Sequence, residues 1–129
     1  MGLENGIDIC DRKNPYNVNL DEDYGVIWCS FRSLRRDIIE ILIKNHKCSK
    51  TDIDAKIVEL SIQDVKDIKS AVSKYIRRRY FNNYADCSGT YDEMVEKLFH
   101  DTKILEEIIQ KMENNEIPPD KMVCFYDSY

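Results

Sequence analysis

The residues best suited to chemistry form a basic and aromatic run near the middle of the chain, which reads Lys74-Tyr75-Ile76-Arg77-Arg78-Arg79-Tyr80-Phe81. Arginine binds phosphates and aromatic faces stack on bases, so the run is typical of a nucleic-acid surface. Successive helical residues lie about 100° apart, so the three arginines cannot all face one partner. Arginines at a helix C-terminus also complement the helix dipole without any partner, and this interpretation stays open.

A second basic group lies earlier in the chain. Arg32, Arg35 and Arg36 fall in a predicted helix, largely off its apolar stripe. We predict that they form a basic central face together with the later run. The candidate partner-binding or nucleic-acid-binding residues are Arg32, Arg35, Arg36, Lys74, Arg77, Arg78, Arg79 and Tyr80.

Cysteine and histidine show no spacing typical of a metal site. The five cysteines are far apart, and no Cys-x-x-Cys pair occurs that could build a zinc ribbon or finger. His46 and Cys48 lie two residues apart, and we interpret them as a surface imidazole and a packed thiol. We therefore predict no metal and no cofactor.

The sequence also lacks the common catalytic motifs. It has no glycine-rich phosphate loop, no Gly-x-Ser-x-Gly elbow and no His-Glu-x-x-His pair. Its four glycines leave few positions for the tight turns of a catalytic loop. A Cys–His nucleophilic pair distant in sequence stays open as an alternative. We expect a protein that is not an enzyme.

A helix-turn-helix register is a further candidate for nucleic-acid binding. The apolar positions that fit it are Ala55, Val58, Leu60, Ile62, Val65 and Ile68. Ser61 would begin the recognition helix, but Gln63-Asp64 and Asp67 would then lie close to phosphates, which repel carboxylates. Glu59 also occupies the turn position where glycine is usual. DNA binding is therefore an alternative and not the leading hypothesis.

Length and composition indicate one domain. The 129 residues are 43% hydrophobic and 33% charged, which excludes a wholly disordered chain. No apolar run approaches the roughly 18 residues that cross a bilayer, so no membrane contact is expected. The odd cysteine count and the lack of a secretory signal favour an intracellular location, cytoplasmic or nuclear.

Charge is segregated along the chain, although the net charge is only −5. Residues 30–80 carry thirteen basic and seven acidic side chains, whereas residues 81–129 carry four basic and eleven acidic ones. A basic middle between acidic flanks predicts one surface that faces an anionic partner. The abundance of Ile, Lys, Asn and Tyr beside three alanines is typical of AT-rich genomes, including those of several large DNA viruses.

The elements that must position these residues are predicted to be helical. Residues 1–29 are interpreted as an irregular N-terminal arm, residues 30–117 as a helical bundle and residues 118–129 as an acidic aromatic C-terminal tail. The expected class is all-α, a single-domain bundle of four to five helices.

Apolar spacings of three and four residues define the predicted helices. Their ranges are 30–46, 52–60, 62–80, 91–100 and from 101 or 102 to about 113. Thr51 with Asp54 and Ser61 with Asp64 resemble capping boxes at the starts of the second and third helices. The second and third helices forming one bent helix is an alternative, since Ser61 is a weak breaker.

From Phe31 to Met122 the order of elements resembles the central, polymerase-binding domain of the transcription elongation factor TFIIS. The similar segments are Leu34 to Leu42, Ala55 to Glu59, Tyr91 with Val95 and Leu98, and Leu105 to Met122. The resemblance implies a helical bundle that binds RNA polymerase. The family's zinc ribbon, which carries its stimulation of transcript cleavage, has no counterpart here, so only the polymerase-binding part is implied.

The leading functional hypothesis is a non-enzymatic helical binding module, with RNA polymerase as the partner that the resemblance implies. One alternative is a helix-turn-helix DNA-binding protein, which predicts salt-dependent duplex binding. The other is a viral-type helical adaptor or decoy that offers a groove to a host protein. The basic central face is the expected docking surface in the first two cases.

Overall fold

The computed structural model of the chain describes residues 4–13, 27–28, 32–53, 56–82 and 89–128. Within these ranges the protein has three α-helices and one small antiparallel sheet, so it is a mixed α/β protein. The predicted all-α class, a bundle of four to five helices, is wrong. In chain order the elements are β1 Glu4–Asp11, β2 Ile27–Trp28, α1 Arg32–His46, a 3₁₀ turn Lys50–Asp52, β3 Ile57–Glu59, α2 Ile62–Asn82, α3 Gly89–Glu113 and β4 Lys121–Ser128.

The first and last strands form the centre of the sheet. The strand order is β2-β1-β4-β3, and β1 pairs antiparallel with β4 from Glu4 opposite Ser128 to Asp11 opposite Lys121. The prediction of an irregular N-terminal arm is therefore wrong for residues 4–11. The rest of the predicted arm lies outside the described residues, apart from residues 12–13 and the two residues of β2.

One face of the sheet packs against the helices. Ile7 and Ile9 of β1 lie opposite Phe125 and Val123 of β4, and all four are at most 3% exposed. Strand residues alternate between faces, so these side chains share one face. They belong to one core cluster with residues of all the described helices, among them Leu34, Leu42, Val65, Val72, Leu105 and Ile108.

Two of the predicted helices are confirmed. Helices α1 and α2 follow the apolar spacings that predicted them, and their inward stripes are buried. The predicted capping box of Ser61 and Asp64 at the start of α2 is also confirmed. The Ser61 N–H donates to Asp64 Oδ2 at 2.9 Å, and the Asp64 N–H donates to Ser61 Oγ at 3.1 Å.

The predicted helix over residues 52–60 is wrong. Its start forms the 3₁₀ turn, which is capped by Ser49 and Asp52 instead of Thr51 and Asp54. Its end forms β3, which pairs with β4 through Val58 opposite Phe125. The β-branched residues Ile57 and Val58 favour a strand, and their apolar spacing fitted a helix equally well. A helix-turn-helix motif needs a helix here, so that register is not formed.

The predicted fourth and fifth helices are one continuous helix, α3. The break was expected at Asp101 or Thr102, because these residue types often begin helices. In the structure Asp101 lies inside α3 and is only 4% exposed. An inward-facing polar residue was therefore mistaken for a helix start.

Helices α1 and α3 end in the same way. Lys47 (φ 53°), directly after α1, and Asn115 (φ 54°), two residues after the end of α3, adopt the left-handed conformation. The Cys48 N–H then donates to the Ile43 carbonyl at 3.3 Å, and the Glu116 N–H donates to the Lys111 carbonyl at 2.8 Å. These are Schellman motifs, which satisfy the last carbonyls of a helix.

The bundle that the TFIIS resemblance implies is not the fold of this chain. The closing segment of the resemblance, up to Met122, runs from α3 through a turn into β4. The earlier segment of the resemblance, Ala55 to Glu59, contains the strand Ile57–Glu59. None of the helices in the described part of the chain is both long and apolar enough to cross a membrane.

Candidate functional site

Two grooves lie on either side of helix α2, one against α1 and one against α3. A first groove of about 840 Å³ runs between α1 and α2, and a second of about 640 Å³ runs between α2 and α3. Both volumes are in the range of ligand sites. Ser70, Lys74 and Arg77 of α2 line both grooves, and we call these three residues the α2 ridge.

The first groove has an apolar floor between charged walls. Ile41 of α1 and Ala71 of α2 are half-buried along its floor. The charged residues that line it are Asp37, Glu40, Lys44, Asp67, Lys74 and Arg77, three acidic and three basic. Its lining therefore matches a segment that carries both apolar and charged groups.

Ion pairs between α2 and α3 cross the second groove. Lys66 Nζ lies 3.0 Å from Glu113 Oε1, and Lys69 Nζ lies 3.7 Å from Glu106 Oε1. The lysines of α2 therefore lie opposite the glutamates of α3. The charges of Lys66 and Lys69 are thus already matched within the protein.

The two cations of the α2 ridge differ from Lys66 and Lys69 in having no ion pair among the described residues. Lys74 and Arg77 are exposed, and neither has an ion pair within the described part of the chain. They lie three residues apart, on neighbouring positions of the helix surface. Within the described residues, the ridge therefore presents two positive charges that form no ion pair, exposed to solvent between the two grooves.

The structure brings together only some of the predicted site residues. Lys74 and Arg77 lie side by side on the ridge, whereas the exposed Arg36 and the half-buried Arg35 of α1 are not among the described residues of either groove. Arg32 begins α1, and Arg78, Arg79 and Tyr80 continue α2. The side chains of Arg32, Arg78, Arg79 and Tyr80 lie outside the described ones.

A polar cluster joins the end of α1 to the start of α2. Asp64, only 1% exposed, lies with Oδ2 2.7 Å from His46 Nε2 and accepts a hydrogen bond from Asn45 Nδ2 at Oδ1, 2.9 Å away. Burial raises the pKa of Asp64. The hydrogen bonds from the Ser61 N–H, Asn45 and His46 outweigh that effect and hold the pKa below its ordinary value.

This cluster contains two of the three members of a nucleophilic triad. A buried carboxylate that orients a histidine is the arrangement that activates a serine or cysteine in many hydrolases. Among the described residues, no hydroxyl or thiol hydrogen-bonds to His46. The pair of His46 and Asp64 therefore acts here as a link between two helices.

Sequence reasoning missed the residues that shape the grooves. Ile41 and Ala71 line the first groove, and Glu106 and Glu113 form ion pairs across the second, but none of them is among the site residues predicted from the sequence. The spacing of Lys66 and Lys69 against Glu106 and Glu113 held a signal of facing helices. That signal can be used only when the orientation of α2 and α3 is known.

In the described ranges, no group of three or more His, Cys, Asp or Glu side chains is placed to hold a metal ion. Comparisons with known proteins found no family model that matches the chain, no similar curated protein and no similar solved structure.

Proposed function

We propose that the chain is a non-enzymatic binding module that docks an acidic segment of a partner protein along the α2 ridge. The observation that carries this proposal is a contrast between two pairs of basic residues of α2. Lys66 and Lys69 are matched by glutamates of α3, whereas Lys74 and Arg77 are exposed without a described ion pair. Unmatched cations beside a groove suit a partner that brings carboxylates.

The grooves supply room for the side chains of such a segment. Ile41 and Ala71 lie along the first groove, and the buried Ile109 borders the second. Apolar side chains of the partner would contact these residues, while its carboxylates pair with Lys74 and Arg77. Apolar anchors combined with a charged rim are typical of protein–protein interfaces.

The carboxylates of the groove walls favour a protein partner over nucleic acid. Glu40 and Asp67 flank the ridge on the side of the first groove. A continuous phosphate backbone laid along the ridge would meet these negative charges. A peptide can place its own charges individually, and so can avoid them.

Selection from a random peptide display library tests the proposal, with the full-length protein immobilised. We expect the selected peptides to be enriched in Asp and Glu together with apolar residues. Fluorescence anisotropy then gives the affinity of each peptide. Reversal of both ridge charges in Lys74→Glu/Arg77→Glu is expected to weaken binding at least about tenfold, which corresponds to ~1.4 kcal/mol.

A matched control changes the net charge equally at a different place. Lys50 and Lys56 are exposed and line neither groove, so Lys50→Glu/Lys56→Glu should bind the selected peptides as the unmodified protein does. Equal weakening in both variants would mean that only net charge matters, and the ridge would not be the docking surface. Enrichment of basic peptides would also contradict the proposal.

RNA polymerase and duplex DNA stay predictions from the sequence, and the same variants separate them. Purified polymerase captured by the unmodified protein and not by Lys74→Glu/Arg77→Glu would identify polymerase as the partner that brings the acidic segment. Binding of a fluorescent DNA duplex that falls steeply with salt, with no acidic peptide selected, would replace the peptide proposal by DNA binding.

A further inference from the structure

Two cysteines meet on the side of the sheet that faces away from the helix core. Cys10 of β1 lies opposite Met122, and Cys124 of β4 lies opposite Asp8. The two cysteines are therefore diagonal neighbours on one face of adjacent strands, and the helix-facing Ile9 and Val123 point the other way. Cys10 is 3% exposed and Cys124 is fully buried.

The two sulfur atoms are already in contact, since Cys10 Sγ lies 2.8 Å from Cys124 Sγ. A disulfide bond is about 2.05 Å long, so its formation requires a displacement of less than about 1 Å. We propose that Cys10 and Cys124 are an oxidisable pair that forms an intrachain disulfide between the first and last strands. Both are free thiols in the structure.

Among the described cysteines, the choice of partner is unambiguous. Cys48 is half-buried in the turn after α1, where its N–H caps the helix by donating to the Ile43 carbonyl. It lies outside the sheet, whereas the two strand thiols contact each other. The strand register fixes this contact, so oxidation does not require a search between alternative pairs.

Hydrogen peroxide is an oxidant small enough for this position. The Cys10 sulfur attacks one peroxide oxygen and the O–O bond breaks, which gives a sulfenic acid and releases water once the thiol proton is transferred. The Cys124 sulfur then attacks the Cys10 sulfur, the S–O bond breaks and a second water leaves. Two thiols are oxidised by two electrons, and one peroxide is reduced to two waters.

Burial determines the rate of this reaction. Desolvation raises the pKa of both thiols, and the nearby carboxylate of Asp8 adds to the effect. The reactive thiolate is therefore scarce in the closed sheet, and oxidation proceeds when β1 and β4 open locally. The pair should thus oxidise more slowly than an exposed thiol, and its disulfide should be equally shielded from reductants.

The bond would join parts of the chain that are far apart in sequence. Cys10 and Cys124 are separated by 114 residues. A cross-link over such a long loop restricts the unfolded state, and in the chain-entropy model it lowers the equilibrium constant of unfolding by about a thousandfold or more. Oxidation would thereby join β1 and β4, the two central strands of the sheet, by a covalent bond.

Peptide mapping of the peroxide-treated, full-length protein tests the inference directly. Trypsin releases residues 1–12 and 122–129, each of which contains a single cysteine of the pair. We expect these two peptides to appear as one disulfide-linked species after treatment, and to separate after reduction. We also expect the oxidised protein to unfold at a higher urea concentration than the reduced protein, with the difference removed by dithiothreitol.

The other three cysteines are replaced in a background variant, Cys29→Ser/Cys48→Ser/Cys87→Ser, so that only the pair remains. Cys124→Ala in this background should show neither the linked species nor the shift in urea midpoint. Mapping of the unsubstituted chain keeps the test valid if a variant does not fold. The inference is overturned if both thiols stay alkylatable after peroxide treatment, if they are linked to other cysteines, or if the linked protein unfolds at the same midpoint as the reduced one.

Discussion

Nε2 of His46 lies 2.7 Å from Oδ2 of Asp64, which joins the last residue of α1 to the third residue of α2. The same carboxylate caps the start of α2 through the Ser61 N–H. One buried group therefore fixes both a helix end and the approach of two helices. Because α1 and α2 form the walls of the first groove, this contact also sets the shape of the candidate docking surface.

Replacement of this carboxylate should destabilise the protein. Asp64→Asn keeps the size of the side chain but removes the charge that accepts from Ser61, Asn45 and His46. We expect a loss of about 2 kcal/mol in the free energy of unfolding at pH 7, measured by urea denaturation. Asp67→Asn is the control and should cost clearly less, since Asp67 is half-buried and, among the described residues, its hydrogen bonds come from Asn45 and Gln63 alone.

Acid should remove the contribution of Asp64. Its pKa is lower in the folded protein than the ordinary value of about 3.9, so the stabilisation is present above pH 4 and disappears as the pH falls through the folded pKa. The stability difference between the unmodified protein and Asp64→Asn should therefore shrink as the pH falls below 4. A difference that grew in acid would contradict the direction of the shift.

Glycine should stabilise the two helix ends that adopt positive φ. Lys47 and Asn115 pay a steric cost there that glycine avoids. Lys47→Gly is expected to raise the free energy of unfolding by about 0.5–1 kcal/mol, and Asn115→Gly by less, since asparagine tolerates this conformation. Lys44→Gly, inside α1, is the control and should lower it by about 1 kcal/mol. Thermal and urea unfolding measure all three.

The register of β4 can be tested by alternate substitutions along the strand. Phe125 is 1% exposed and faces the helices, so Phe125→Ala should cost about 3–5 kcal/mol. Met122 lies on the opposite face of the strand and is half-buried, so Met122→Ala should cost clearly less. Similar costs at the two positions would indicate a different register.

Local patterns predicted the helices that local interactions determine. The apolar stripes gave the positions of α1 and α2, and Ser61 with Asp64 gave the start of α2. The strands had a local signal as well, since Ile7 and Ile9 alternate with Asp8 and Cys10. The prediction of an irregular arm did not use this alternation and followed instead the asparagines and Pro15, which are typical of an irregular segment.

The rest of the fold could not be predicted from local patterns, because it depends on contacts between distant residues. Nothing near Ile9 indicates that Val123 will lie opposite it, and nothing near Asp101 indicates that α3 passes through it without a break. The candidate site could be predicted only in part, because it too depends on contacts between residues that are distant in sequence. Lys74 and Arg77 were identified by type, whereas their lack of an ion pair among the described residues appears only when Glu106 and Glu113 are seen to pair with other lysines.

The pairing of β1 with β4 has a consequence for synthesis on the ribosome. Of the described elements, β1 is translated first and β4 last. At about 5–20 residues per second, the edge of the nascent first strand that pairs with β4 has no partner for roughly 5 to 20 s, whereas its other edge can pair with β2 much earlier. The contacts of α1 with α2 and of α2 with α3 are closer in sequence and can form in that interval. A ribosome stalled before Lys121 therefore holds a chain whose helices can pack but whose first strand keeps an open edge, available to chaperones or to a neighbouring nascent chain.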